Sequence, residues 1–127
     1  MKYLLVFLLM FNIALADDDY YEKEHYYSKD LSYLNLSDFQ MRTVKEIIKE
    51  YREDLKEYRR LKNEAYQKKQ RLFLSREFDA KKLREINSKL SKKSLQIEES
   101  FLKKMHKVLN EQQRLKFVWY IDEWEVE

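Results

Sequence analysis

The stretch from Ser37 to Leu61 reads SDFQMRTVKEIIKEYREDLKEYRRL. Its first residues form a helix start. The Ser37 hydroxyl suits the N-cap, where it accepts from the free amide of Gln40, and Gln40 reaches back to close a capping box. Leu36 and Met41 stand at the two positions of a hydrophobic staple. Apolar residues then recur at Met41, Val44, Ile48, Tyr51, Leu55 and Tyr58. That 3-4 alternation is the seam of an amphipathic helix that packs on a partner helix.

One residue after the seam positions come Lys45, Lys49, Arg52, Lys56 and Arg59, and then Glu46, Glu50, Glu53 and Glu57. At about 100° per residue this sets a basic edge beside the apolar face and an acidic edge beyond it. Two readings stand. In one, the charges pair locally on a solvated face, Glu46 with Lys49 and Glu53 with Lys56. In the other, the basic edge and the apolar face together hold something apolar and acidic.

The same grammar continues outward. No breaker falls between Ser37 and Arg76, so the first helix either bends near Lys62 and Asn63 or divides there. Leu72-Phe73-Leu74 reads as core. Phe78-Asp79 starts a second long helix: Asp79 caps it, and its seam runs Leu83, Ile86, Leu90, Ser94, Ile97, Phe101, Met105 and Val108. Its solvent side carries Lys82, Lys89, Lys92, Lys93, Lys103, Lys104 and Lys107. Leu109-Asn110-Glu111-Gln112-Gln113 is a third start, weakened because Arg114 occupies the staple position. The segment beyond it, with Leu115, Phe117, Val118, Trp119, Tyr120, Ile121 and Trp124, is apolar nearly all round, which predicts cover on several faces.

Composition supports an all-α fold of three to four helices, two of them long. The chain has no Gly, no Pro and no Cys, and ordinary hairpin turns lean on the first two. Met1 to Ala16 reads as a cleavable signal peptide, with Lys2 ahead of an apolar run and Ala14-Leu15-Ala16 as the cleavage site. That run is too short to span a bilayer, so stable membrane insertion is not expected. Residues 17–33 form an acidic, tyrosine-rich tail expected to be flexible, and residues 34–125 form the helical domain. A small exported domain without disulfides points to oligomerisation for support.

Charge is segregated. Met41 to Tyr120 holds 23 Lys and Arg against 12 Asp and Glu, whereas both flanking segments are acidic. For an exported chain, nucleic acid is a poor partner, and acidic segments of other proteins or an anionic surface fit better. No Ser-His-Asp order, paired metal ligands or Gly-rich phosphate loop is present, and adjacent Glu98 and Glu99 point to different sides of their helix. The reading is a non-enzyme without a cofactor.

Leu36-Ser37-Asp38-Phe39-Gln40 and Leu109-Asn110-Glu111-Gln112-Gln113 resemble the paired Leu-Thr-x-x-Gln motifs of one periplasmic family. Phe78-Asp79 between them resembles the Phe-Asp that opens that family's long helix. The family comprises the Spy-type chaperones, the Cpx-pathway accessory proteins and related metal-responsive sensors. The resemblance covers Leu34 to about Tyr120. It implies a hooked, cradle-like antiparallel homodimer in the periplasm that holds unfolded clients without ATP. Lys45, Lys49, Arg52, Lys56 and Arg59 are then the candidate client-binding residues. Leu36, Ser37, Gln40, Phe78, Asp79, Leu109, Asn110 and Gln113 carry the helix-capping motifs. The family also implies an alternative, a regulatory module that binds an envelope-stress sensor kinase. The sensor branch's metal site is not expected: Met105 stands where its Met would lie, but Phe101 replaces its His, and Tyr27 and Leu31 stand near its upstream histidines. The remaining His25 and His106 are far apart in sequence.

Overall fold

The computed structural model describes residues 30–126. The expected signal peptide, most of the tyrosine-rich tail and His25 lie outside the described residues. Two compact units divide at Asn35 and Leu36. Among the described residues of the first, a 3-10 turn spans Ser32–Leu34. Asp30 organises it, accepting from the Ser32 amide at 2.8 Å and from its hydroxyl at 3.0 Å. Asn35 ends the turn in the left-handed region at φ 49°, a conformation that asparagine tolerates better than most residues.

The second unit is helical, and no strand occurs among the described residues. It contains α1 (Asp38–Leu74), α2 (Ala80–Val108), α3 (Glu111–Phe117) and a 3-10 segment, Val118–Trp124. α1 is 37 residues long, roughly 55 Å at 1.5 Å per residue. It runs unbroken through Lys62 and Asn63, so of the two expectations there, a bend or a division, the division does not occur. Lysine, glutamate, glutamine and arginine dominate that stretch, and all are good helix formers.

The two long helices form an antiparallel hairpin without a glycine in the turn. Ser75 closes α1 in an extended conformation, its hydroxyl donating to the Arg71 carbonyl at 2.9 Å. Asp79 opens α2 by accepting from the Lys82 amide at 3.1 Å. Along the hairpin, Lys104 of α2 forms an ion pair with Glu50 of α1.

Burial concentrates at the end of the hairpin remote from this turn. Val44, Ile47, Tyr51 and Tyr58 of α1 meet Ile97, Phe101 and Met105 of α2, and Leu109 joins them. The sequence seam needs correction in two places. Ile47 is buried while Ile48 is only half-buried, and Met41 is 42% exposed. Ile47 and Ile48 both satisfy a 3-4 spacing, and the direction of α2 selects between them. A second correction concerns Leu72-Phe73-Leu74, expected as core. Phe73 is 81% exposed and Leu74 84% exposed, because no third element among the described residues packs against the turn end of the hairpin.

The final segment is also only partly covered. Phe117 and Trp124 are buried, whereas Leu115, Val118, Trp119 and Tyr120 are exposed. Helical hydrogen bonding tightens to the 3-10 pattern after Phe117, which redirects the apolar positions so that one side faces the hairpin.

Candidate functional site

The three sequence motifs occupy distinct places in the hairpin. Ser37 caps α1 as expected: its hydroxyl accepts from the Gln40 amide at 3.1 Å, and Gln40 Oε1 accepts from the Ser37 amide at 3.0 Å. Asn110 and Gln113 build the same box at the start of α3, with both bonds at 2.9 Å. The box forms although Arg114 occupies the staple position. Arg114 instead donates to the His106 carbonyl at 2.9 Å, satisfying a carbonyl in the last turn of α2.

In sequence these two boxes are separate, but the fold joins them. Gln40 Nε2 donates to Gln113 Oε1 at 2.8 Å, and Gln113 Nε2 donates back to Gln40 Oε1 at 3.1 Å. Gln40 Nε2 also donates to the Val108 carbonyl at 3.0 Å. One pair of side-chain amides therefore ties the starts of α1 and α3 to the end of α2. Gln113 is only 6% exposed, so its amide requires these partners. The matching positions of Gln40 and Gln113 in the two motifs were the available signal.

Beside this tie lies an aromatic cluster. The Trp124 ring stacks on Phe101 at 4.5 Å and meets Tyr51 edge-on at 5.5 Å. Tyr51 and Phe101 lie 4.7 Å apart, and Phe117 lies 6.4 Å from Trp124. The Tyr51 hydroxyl donates to the Trp124 carbonyl at 3.0 Å. Burial, and secondarily the charge of Glu98, pushes the Tyr51 hydroxyl up to about 12.

The basic edge of α1 is a solvent-facing stripe. Lys45, Lys49, Arg52, Lys56 and Arg59 are all exposed. The local pairs expected with Glu46 and Glu53 do not form among the described residues. Other cations engage the acidic edge: Glu50 meets Lys104, while Arg60 bridges Glu57 and Glu64. The Arg60 hydrogen bond holds the Glu57 carboxyl below its usual range. Lys45, Lys49 and Lys56 consequently carry charges without an ion-pair partner among the described residues.

Towards the turn, the space between α1 and α2 opens into a groove of about 510 Å³. Leu61, Ala65, Leu72, Ile86 and Leu90 form its apolar lining. Lys68 and Arg71 stand on one rim and Lys82 and Lys89 on the other, with Glu64 and Glu85 interspersed. The sequence hint was the small residue Ala65 in a weakening seam, opposite the continuing seam of α2.

Among the described residues, no group of three or more His, Cys, Asp and Glu side chains is placed to hold a metal. No described helix is long and apolar enough to cross a membrane. No known protein family, curated protein or solved structure matches the chain.

Proposed function

We propose that this protein is an ATP-independent holdase of the periplasm, which captures partly unfolded exported proteins. The observation that carries the reading is the stripe of Lys45, Lys49 and Lys56, exposed and without an ion-pair partner among the described residues, on a helical hairpin that also exposes apolar side chains. Phe39, Tyr66 and Leu95 are more than half exposed. Long cationic side chains draw an acidic chain in, and scattered apolar side chains hold it weakly. Weak contacts suit a binder that has no nucleotide to drive release, since a client that folds withdraws its apolar surface. The exposed Leu115, Val118 and Trp119 support a further part of the proposal, that two copies associate as a homodimer.

The test is light scattering from a chemically denatured client, without nucleotide. Equimolar protein is expected to suppress aggregation, and Lys45→Glu/Lys49→Glu/Lys56→Glu is expected to remove most of that effect while leaving the helical circular dichroism intact. Absence of suppression by the unaltered protein would overturn the reading. Recovery of a single stoichiometric membrane partner from envelope extract would favour the sensor-kinase module instead.

A further inference from the structure

We infer that the groove at the turn end of the hairpin is a docking site for a short acidic amphipathic helix of another protein. This goes beyond the holdase proposal and does not depend on it.

Three observations lead there. The first is the lining. Leu61, Ala65, Leu72, Ile86 and Leu90 form an apolar floor between two helices. A floor of this kind accepts the apolar stripe of a third helix, with anchors at i, i+3/i+4 and i+7.

The second is charge. Lys68 and Arg71 line one side, and Lys82 and Lys89 the other, so cations flank the floor on both sides. Glu64 and Glu85 also line the groove, Glu64 engaged by Arg60, which leaves four cations against one further carboxylate. An occupant with carboxylates on both sides of its apolar stripe matches this arrangement. A fatty acid, with a single carboxylate, would leave most of these cations unused. The turn of a second copy carries the same cations and would be repelled.

The third is the precedent within the molecule itself. At the other end, the same two helices already hold a 3-10 segment, Val118–Trp124, that carries Asp122 and Glu123. Its anchor, Trp124, sits against Tyr51 of α1 and Phe101 of α2. The groove is made by these same two helices. From Leu61 to Ser75 it follows α1 for roughly 21 Å, or about four turns of a partner helix.

The probe is a dye-labelled peptide of about 15 residues, long enough to become helical on binding, with leucines at i, i+3, i+4 and i+7 flanked by glutamates. Fluorescence anisotropy against the whole protein reads its affinity. A peptide with lysine in place of each glutamate, and sodium palmitate as competitor, form the comparison arms. The acidic peptide is expected to bind saturably, one per chain, at least about tenfold more tightly than the basic one at low salt. Arg71→Glu/Lys89→Glu should weaken it by about tenfold, whereas Lys49→Glu/Lys56→Glu, on the stripe, should change it by less than about twofold. All four positions are exposed, so these variants leave the buried core alone.

Absence of saturable binding, equal binding of both peptides, or equal loss in both double variants would overturn the assignment. So would palmitate binding that is sensitive to Arg71→Glu/Lys89→Glu while the peptide fails to bind. Aggregation suppression, measured on the same variants, keeps the two proposals separate. In the unaltered protein, failure to bind the peptide while aggregation is still suppressed counts against the groove alone, and the reverse counts against the holdase alone. In Arg71→Glu/Lys89→Glu, loss of peptide binding with suppression intact is the expected result.

Discussion

At its base the α1–α2 hairpin holds Tyr51, Phe101, Phe117 and Trp124 in one aromatic cluster, while at its turn it leaves Phe73 and Leu74 more than four-fifths exposed. Both ends use the same two helices and similar apolar spacing. The difference is a third element. At the base, α3 and the 3-10 segment return to the hairpin and exclude water from the seam. At the turn none of the described residues returns, and two helices alone cannot enclose side chains on every side. Stability therefore resides at the base, and apolar side chains are left exposed towards the turn.

The largest expected effect comes from removing the anchor of that third element. Trp124→Ala deletes a ring that is 2% exposed and touches three other aromatic rings. A loss of roughly 3–5 kcal/mol is expected in urea unfolding, as for other large-to-small core changes. A cost under about 1 kcal/mol, the range of ordinary substitutions, would mean that the base is not the stability centre.

The paired glutamines come next. Gln113→Ala leaves Gln40 without its amide partner in a partly buried site, and a loss of about 1–3 kcal/mol is expected. Gln40→Ala should cost a similar amount or less, since its side chain borders solvent. The informative quantity is the coupling between them. A double-mutant cycle should return an interaction of roughly 0.5–3 kcal/mol. Strict additivity would show that each capping box works alone and that the tie between α1 and α3 contributes nothing.

A smaller effect, confined to alkaline solution, tests the same cluster. Tyr51 is held protonated in the fold, with its pKa raised from 10.0 to about 12. The unfolded chain releases that proton near the ordinary value, so the fold binds more protons between the two. The Tyr51 contribution is complete below pH 10 and is lost as pH rises towards about 12. Unfolding midpoints followed across that window should fall more steeply for the unaltered protein than for Tyr51→Phe. Parallel curves would show that the hydroxyl is not held as described.

What the sequence discloses follows from the range of each interaction. Ser37, Asp79 and Asn110 are legible because a cap involves residues three apart, and all three caps form. The amide pair of Gln40 and Gln113 joins residues 73 apart, so each motif predicts its own box but not the bond between them. The choice of Ile47 over Ile48 depends on where α2 lies, which α1 alone does not encode. Hydrophobicity alone marks Phe73 and Leu74 as core, yet burial requires a covering element, and none of the described residues supplies one there. The groove arises from the same cause. Ala65 leaves space opposite Ile86 and Leu90, visible only once the two seams are aligned.

The smallest expected effect is also the sharpest test of the contrast. Phe73→Ser and Leu74→Ser replace large apolar side chains that the rest of the molecule barely touches. If the turn end contributes little to stability, each should shift unfolding by no more than about 0.5 kcal/mol, the range of ordinary surface positions. In a core, the same reduction of apolar bulk would cost several times more. Urea unfolding should be run at low and high protein concentration. A large cost that appears only at high concentration would mean that a second copy covers Phe73 and Leu74, because association stabilises a fold by mass action. A large cost at every concentration would contradict the exposed turn directly, since the side chains packed on Phe73 and Leu74 would then belong to the same chain.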